Sequence, residues 1–428
     1  MKYSDAQFRR SKALVTSLFR GPGLCFGNAG NAPGRIGTLA NRGGVAVVSD
    51  LRRQNRGLIL GDLLANGPTT RVEIARATAL SSATVTRVVA ALMEDGLASE
   101  VRTLSSAGRG RRAVLLDVSA EDPVAIGVDL GVVNTRIAIV ALTGRLIGEV
   151  ALATPAGATP RELAVWIGQS VRDAAGEAWA SVRSIGVGLP GVVHPVTTRV
   201  SLSPGLRQIE GAEFVDSVRT ALDRTVLFDN EANFALLGEM YSGAALGNAN
   251  AVMFTIGAGL GAGVAIEGRI FRGSTGIVGE YGSLAIAGDG APLEDLLTTS
   301  GILRMARSRG VSVDGVASLF LPSSDPAILA VRSQFEDALV TAITASVVSV
   351  DPAVVVLGGS IAPALAGMTE RLGQRVSEVV GVRPTIRLAE QGDLAGALGA
   401  AAQALHHVLT NMDVPDRYLA RIPRPPGA

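Results

Sequence analysis

One cysteine, three histidines and two lysines are all that the 428 residues hold of those types. With Cys25 alone, no intrachain disulfide can form. With only His194, His406 and His407 beside it, a Cys/His zinc site lacks ligands. His406 and His407 fall near the end of a helical pattern, where they read as favourable charge at a helix C-terminus or as a metal-binding pair. A net charge of +1 excludes a strongly basic or acidic protein. The stretch Leu14–Phe19 is apolar but short and has no small-residue cleavage site after it, so no secretory signal is expected. Met240–Ile266 is uncharged for 27 residues, but its six glycines mark a loop and hairpin rather than a membrane helix. The expected location is the cytoplasm, with no membrane partner.

Hydrophobic residues make up 47% of the chain and charged residues 18%, enough to bury a large interior. The length calls for two or three domains. The small net charge hides an asymmetry. Residues 1–112 carry 17 Arg or Lys against 7 Asp or Glu, and the remainder carries 22 against 31. A basic head on an acidic body points to nucleic acid at one end.

Residues 1–50 include a Gly/Asn/Pro-rich stretch, 21–44, without helical or strand period, and read as a disordered or weakly ordered arm. An amphipathic helix follows over Leu51–Ala65, with Arg52, Arg53 and Arg56 at its basic start, placed for backbone contacts to DNA or simply solvated. Arg71–Ala77 is a short helix and Thr78–Leu80 a turn. Ser81 caps a helix reaching Asp95, which Gly96 ends. Leu97–Thr103 and Ala113–Val118 read as strands flanking a loop that contains Arg109, Arg111 and Arg112. That order, over residues 51–118, is a winged helix–turn–helix.

On the helix after Ser81, Val85, Val88, Val89 and Leu92 share the inward face. Ala83, Thr86, Arg87 and Ala90 share the outward one, with Ser82 and Thr84 on its shoulders. Small residues allow deep entry into a major groove, and Arg87 can pair bidentately with guanine. Ser82 and Thr84 suit phosphates. Arg109, Arg111 and Arg112 suit an adjacent minor groove, unless they are only a solvated hairpin tip. The alternative for the whole unit is an ordinary helical bundle.

From residue 119 to about 410 the pattern is α/β, and 411–428, with four prolines, reads as a frayed tail. Asp129 and Gly131 lie at the bend of a strand–turn–strand, Val124–Val140. Gly257, Gly259 and Gly261 follow a strand and precede another strand, which excludes a dinucleotide fingerprint. Gly358-Gly359-Ser360 follows the strand Ala353–Leu357. Together with Leu189-Pro190-Gly191, Asp229-Asn230-Glu231-Ala232-Asn233 and Gly279-Glu280-Tyr281-Gly282-Ser283, these motifs resemble the ROK family of repressors and sugar kinases.

The resemblance implies a two-lobed actin-like ATPase fold (ribonuclease H-like), with the last helix packing back on the first lobe. It implies nucleotide-type loops at Asp129, Gly131, Gly257, Gly259, Gly261, Gly358 and Gly359. It also implies sugar contacts from Asn230, Glu231, Glu280 and Glu294, although Asn230 also fits a helix cap and the two later glutamates fit loop support. The departures carry as much information. The family's kinases place an Asp general base at the position of Glu231, and one extra methylene displaces the carboxylate by about an ångström, enough to cost roughly a hundredfold. Val132 stands where a second phosphate-loop glycine is usual, and Gly205 where an asparagine is usual. Ser283 replaces the zinc-site histidine, and the cysteine cluster is missing, so no metal or other cofactor is expected and ATP binding is doubtful.

The function implied is a DNA-binding regulator, a repressor sensing a sugar or sugar phosphate through a non-catalytic body and acting on a double-stranded operator as a homodimer or tetramer. An active ATP-dependent sugar kinase with an attached DNA-binding domain is the alternative, and a ligand-free dimerisation scaffold a third.

Overall fold

The computed structural model describes residues 43–104, 113–119, 123–285 and 290–419. The head comprises α1 (Gly43–Asn66), β1 (Thr69–Thr70), α2 (Arg71–Thr78), α3 (Ser82–Glu94), β2 (Ala98–Leu104) and β3 (Ala113–Val118). Its strands form one sheet in the order β1-β3-β2. Helix α1 starts at Gly43, inside the segment expected as an arm, because the leading glycine pair hides the period that follows. Arg109, Arg111 and Arg112 lie outside the described residues.

Local chemistry sets the head's turns. Thr70 and Glu73 form a reciprocal capping box that starts α2. Ala79 turns the chain with a φ of +58°, and the Ser81 hydroxyl accepts the Thr84 amide at 3.1 Å to start α3. Ile59, Leu60, Leu63, Ile74, Val85, Val89 and Leu92 are fully buried beneath.

The first lobe runs through β4 (Pro123–Leu130), β5 (Asn134–Ala141), β6 (Leu146–Ala153), α4 (Pro160–Ala175), β7 (Ser184–Leu189), β8 (Val192–Val193), β9 (Val200–Ser201), α5 (Glu213–Leu222) and β10 (Thr225–Asn230). Helix α6 (Glu231–Ser242) leads to the second lobe. That lobe holds β11 (Ala251–Ile256), β12 (Leu260–Ile266), β13 (Arg269–Ile270), α7 (Glu294–Leu297), α8 (Thr299–Ser308), α9 (Pro326–Val350), β14 (Val354–Gly358), α10 (Thr369–Val380) and β15 (Ile386–Leu388). The chain returns through α11 (Ala395–Asn411) and ends its described part with α12 (Asp416–Leu419).

The two large sheets repeat one plan. In the order β6-β5-β4-β7-β10 and again β13-β12-β11-β14-β15, three antiparallel strands are extended by two parallel ones. Helices α7 and α8 are separated by a single residue, Thr298. This residue closes α7 by donating to the Glu294 carbonyl (2.8 Å) and caps α8 by accepting the Gly301 amide (3.3 Å).

Helices α6 and α11 lie against each other and against both sheets, and glycines set how closely they approach. A β-carbon on Gly399 would stand 1.8 Å from the Phe234 carbonyl oxygen, and one on Gly238 2.2 Å from that of Ala395. Gly127 and Gly186 seat α11 on the first sheet in the same way, against Ala397 and Ala400. The far end of α11 enters the head. Leu405, Val408 and Leu409 share one buried cluster with Ile59, Leu63, Leu92 and Leu116.

The tail expected to fray is built in as far as residue 419. Tyr418 is buried on Gly61, where a β-carbon would come within 2.6 Å of its ring, and one on Gly57 would stand 1.9 Å from the Asp413 carbonyl oxygen. Among the described residues, no helix is long and apolar enough to cross a membrane.

Candidate DNA-reading face and ligand cleft

Helix α3 presents Ser82, Ala83, Thr86, Arg87 and Ala90 to solvent, while Val85, Val89 and Leu92 are buried. Thr86 returns its hydroxyl to the Ser82 carbonyl (2.8 Å), which leaves its methyl group outward. Thr84 is half-buried and its hydroxyl contacts Ser81 Oγ at 2.9 Å, so it serves the cap before any phosphate. Arg87 makes no ion pair among the described residues.

Arg52, Arg53 and Arg56 lie midway along α1 rather than at its start, and two of the three have a structural task instead. Arg53 holds Asp413 through Nε (2.8 Å) and Nη2 (3.2 Å), tying the head to the tail. Arg56 meets Asp95, at the end of the reading helix, at 2.5 Å. Arg52 is exposed.

In the body, the parallel strands β4, β7 and β10 deliver Asp129, Gly188 and Asn230 to one end of the first sheet. Such carboxyl ends are where ligands gather in α/β sheets. Glu231 follows as the first residue of α6. Its carboxyl is pushed up to about 8, chiefly by burial and then by Asp129 and Glu280. Asp129 is pushed up to about 7 by burial, against the pull of Arg136, and its Oδ1 is buried without a hydrogen-bond partner. Burial also raises Glu280, with the charge of exposed Glu294 adding to it. Asp129 and Glu280 thus act on Glu231, and Glu294 acts on Glu280, so the four carboxyl groups form a chain of like charges. Such a set meets the hydroxyls of a polyol as paired acceptors and, where protonated, donors.

Asn230 serves as the helix cap. Its Oδ1 accepts the amides of Ala232 (2.7 Å) and Asn233 (3.2 Å), and its Nδ2 donates to the Gly191 carbonyl (2.8 Å). The preceding Asp229, which sequence reasoning passed over, is the hub of this corner. It accepts from the Asn230 amide and Asn233 Nδ2 and holds Arg272 of the second lobe at 2.5 Å. Arg272 follows no motif, so nothing in the sequence marked the pair.

A model of the ROK family matches residues 125–407, and one of winged helix-turn-helix DNA-binding matches residues 52–98. The chain belongs to the ROK family. It is 31% identical over 240 residues to a xylose repressor of Caldicellulosiruptor bescii, an overlap covering 55% of this chain and 59% of that one. It is 30% identical over 223 residues to the DNA-binding transcriptional dual regulator NagC of Escherichia coli, covering 51% and 54% respectively. The overlap thus spans little more than half the length of these curated relatives. Among solved structures, a ROK family transcriptional regulator homologous to the Escherichia coli MLC protein shares the fold. Its TM-score is 0.67 at 20% identity, over 86% of this chain and 99% of that one. A ROK hexokinase from Thermus thermophilus gives 0.56 at 28% identity, over 66% of this chain and 98% of that one.

Against the ROK pattern, the glycines divide into two groups. Gly131 closes a tight hairpin, its amide bonded to the Asn134 carbonyl at 3.1 Å, and Val132 lays its side chain on Gly205. Gly261 packs on Ala232 of α6, a use in helix packing rather than in phosphate approach. Gly259 has open space around it, whereas a β-carbon on Gly257 would stand 3.0 Å from Ser360 Oγ of the Gly358-Gly359-Ser360 turn, so these two turns do come together. Gly359 takes a φ of +83° with no room for a β-carbon beside Ile256.

The family's zinc ligands do not fit here. Ser283 is exposed, and no group of three or more His, Cys, Asp or Glu among the described residues is arranged to hold a metal. The paired histidines are not a charged helix end either, because burial lowers both, His406 to about 4.

Proposed function

We propose that this chain is a sugar-responsive DNA-binding transcriptional repressor whose kinase-like body binds its effector without phosphorylating it. The observation that carries the reading is the exposed α3 face, with small residues around an uncommitted Arg87, on a head whose core is continuous with the last helix of the body. The head supplies operator contacts from Ser82, Ala83, Thr86 and Arg87. The body supplies Glu231, Glu280 and Glu294 for a sugar or sugar phosphate, with Asn230 fixing the start of α6. A homodimer would place two reading helices on two half-sites, and effector binding would shift their spacing by differential affinity. The names of the relatives, xylose and N-acetylglucosamine repressors, favour a sugar effector.

The test is a low-salt gel shift with the chain's own upstream DNA, followed by release with xylose, N-acetylglucosamine and their phosphates. No shift on any upstream fragment rejects the proposal.

The open space at Gly259, next to the contact between Gly257 and Ser360, favours a second reading, an active sugar kinase. Glu231 and Val132 weigh against it. ATP turnover across a sugar panel, lost in Glu231→Gln, would establish it.

A further inference from the structure

The first sheet has a second end. Ser184 pairs with Thr225 and Ala125 there, five residues and about 17 Å from the Asn230 end of β10. Between that end and the last turn of α11 lies a cavity of about 350 Å³, lined by Arg183, Thr225, His407, Val408, Asn411 and Met412. Arg183 also lines a second cavity of about 200 Å³, shared with Asp95, Gly96, Leu97 and Ser119 of the head. One arginine thus stands at the seam where the reading helix ends and the body begins.

The polar groups of the larger cavity are mainly donors. Arg183 is exposed, is fixed at its backbone by the Val124 carbonyl (2.9 Å), and makes no ion pair among the described residues. Its neighbour Arg224 is committed to the carbonyls of Val182 and Asp223 and to the Trp179 ring. Burial pushes the His407 pKa down, so the ring is neutral at pH 7. With Nε2 accepting from Asn411 Nδ2 at 2.8 Å, its proton sits on Nδ1. Thr225 adds a hydroxyl. Among the described residues no carboxylate lines this cavity, and Asp95 in the smaller one is held by Arg56.

The C-terminus of α11 opposes an anion by roughly two- to fivefold. Its last carbonyls are partly quenched by the Met412 amide, which bonds those of Val408 and Leu409. A charge-assisted bond from a guanidinium that makes no ion pair among the described residues is worth roughly ten- to a hundredfold, so the anion wins.

We propose that this cavity is a second ligand site, separate from the acidic cleft, for a small phosphate-bearing molecule, and that its occupant braces the head against the body. The binding half stands without the DNA-reading proposal, and only the bracing half rests on it.

The experiment titrates inorganic phosphate into the full chain at constant ionic strength and follows the thermal midpoint. The midpoint should rise with the logarithm of phosphate concentration in the wild type and in Arg307→Gln, an exposed arginine of the other lobe. Arg183→Gln should weaken the apparent affinity at least tenfold, Asn411→Ala should weaken it less, and Arg183→Lys should keep part of the response if the glutamine variant folds poorly. An equal response in wild type and Arg183→Gln, or none up to tens of millimolar phosphate, overturns the site. If the site binds but phosphate leaves operator affinity unchanged in a protein that does bind DNA, the bracing role fails alone.

Discussion

Cγ2 of Val132 lies 2.6 Å from the point that a β-carbon on residue 205 would occupy. The two departures from the kinase pattern are therefore one feature, since the valine fits only because residue 205 is glycine. The hairpin tip cannot swing aside. Thr154 pins it, its amide bonded to the Val133 carbonyl (2.9 Å) and its hydroxyl to that of Gly131 (2.8 Å).

This pairing predicts non-additive substitutions. Gly205→Asn alone should destabilise the protein by about 1–3 kcal/mol through overpacking. Adding Val132→Gly should restore most of that loss. Urea denaturation of the four proteins of the cycle measures the coupling, and simple additivity would contradict the contact.

The raised carboxyl of Glu231 predicts how stability varies with pH. The folded protein holds this proton up to about pH 8, whereas the unfolded chain releases it near its ordinary 4.5. The folded state therefore loses stability as pH rises between those values, by up to about 1.4 kcal/mol per pH unit from this group. Glu231→Gln should flatten the fall in melting temperature between pH 5 and pH 8. An unchanged slope would place the carboxyl in a more hydrated setting.

For the reading helix, Arg87→Ala should weaken operator binding roughly ten- to a hundredfold and relax preference at one base pair. Arg52→Ala should lower affinity evenly across sequences. Fluorescence anisotropy on operator and scrambled duplexes separates the two.

The joint between head and tail is equally open to test. Gly57→Ala would put a methyl group 1.9 Å from the Asp413 carbonyl oxygen and should dislodge the segment that Arg53 holds. Separate unfolding of head and body, in place of one transition, is the expected signature in calorimetry.

The sequence was most legible where one short rule decides the outcome. Ser81 as a cap, Gly96 as a stop, the α3 faces and the strand at Ala113–Val118 all follow from capping or period, and all appear in the structure. It was least legible where the deciding partner is distant. Asp229 meets Arg272 across 43 positions, and Arg53 meets Asp413 across 360. Asn230 shows a third limit, because a cap and a sugar contact require the same residue, and only the hydrogen bonds show that the cap uses both ends of its amide. The repeated sheet plan was hidden because backbone order, not residue identity, is what the two lobes share.

Helix α11 is 17 residues long, about 25 Å, and its first two turns, from Ala395 to Ala401, approach main chain closely. A rod seated on bare peptide rather than on pliable side chains has no cushioning layer in which a displacement could be absorbed. A small tilt imposed beside Asp129, where Gly396 leaves no clearance, would be carried along the helix toward Leu405 and Val408, which pack in the head's cluster.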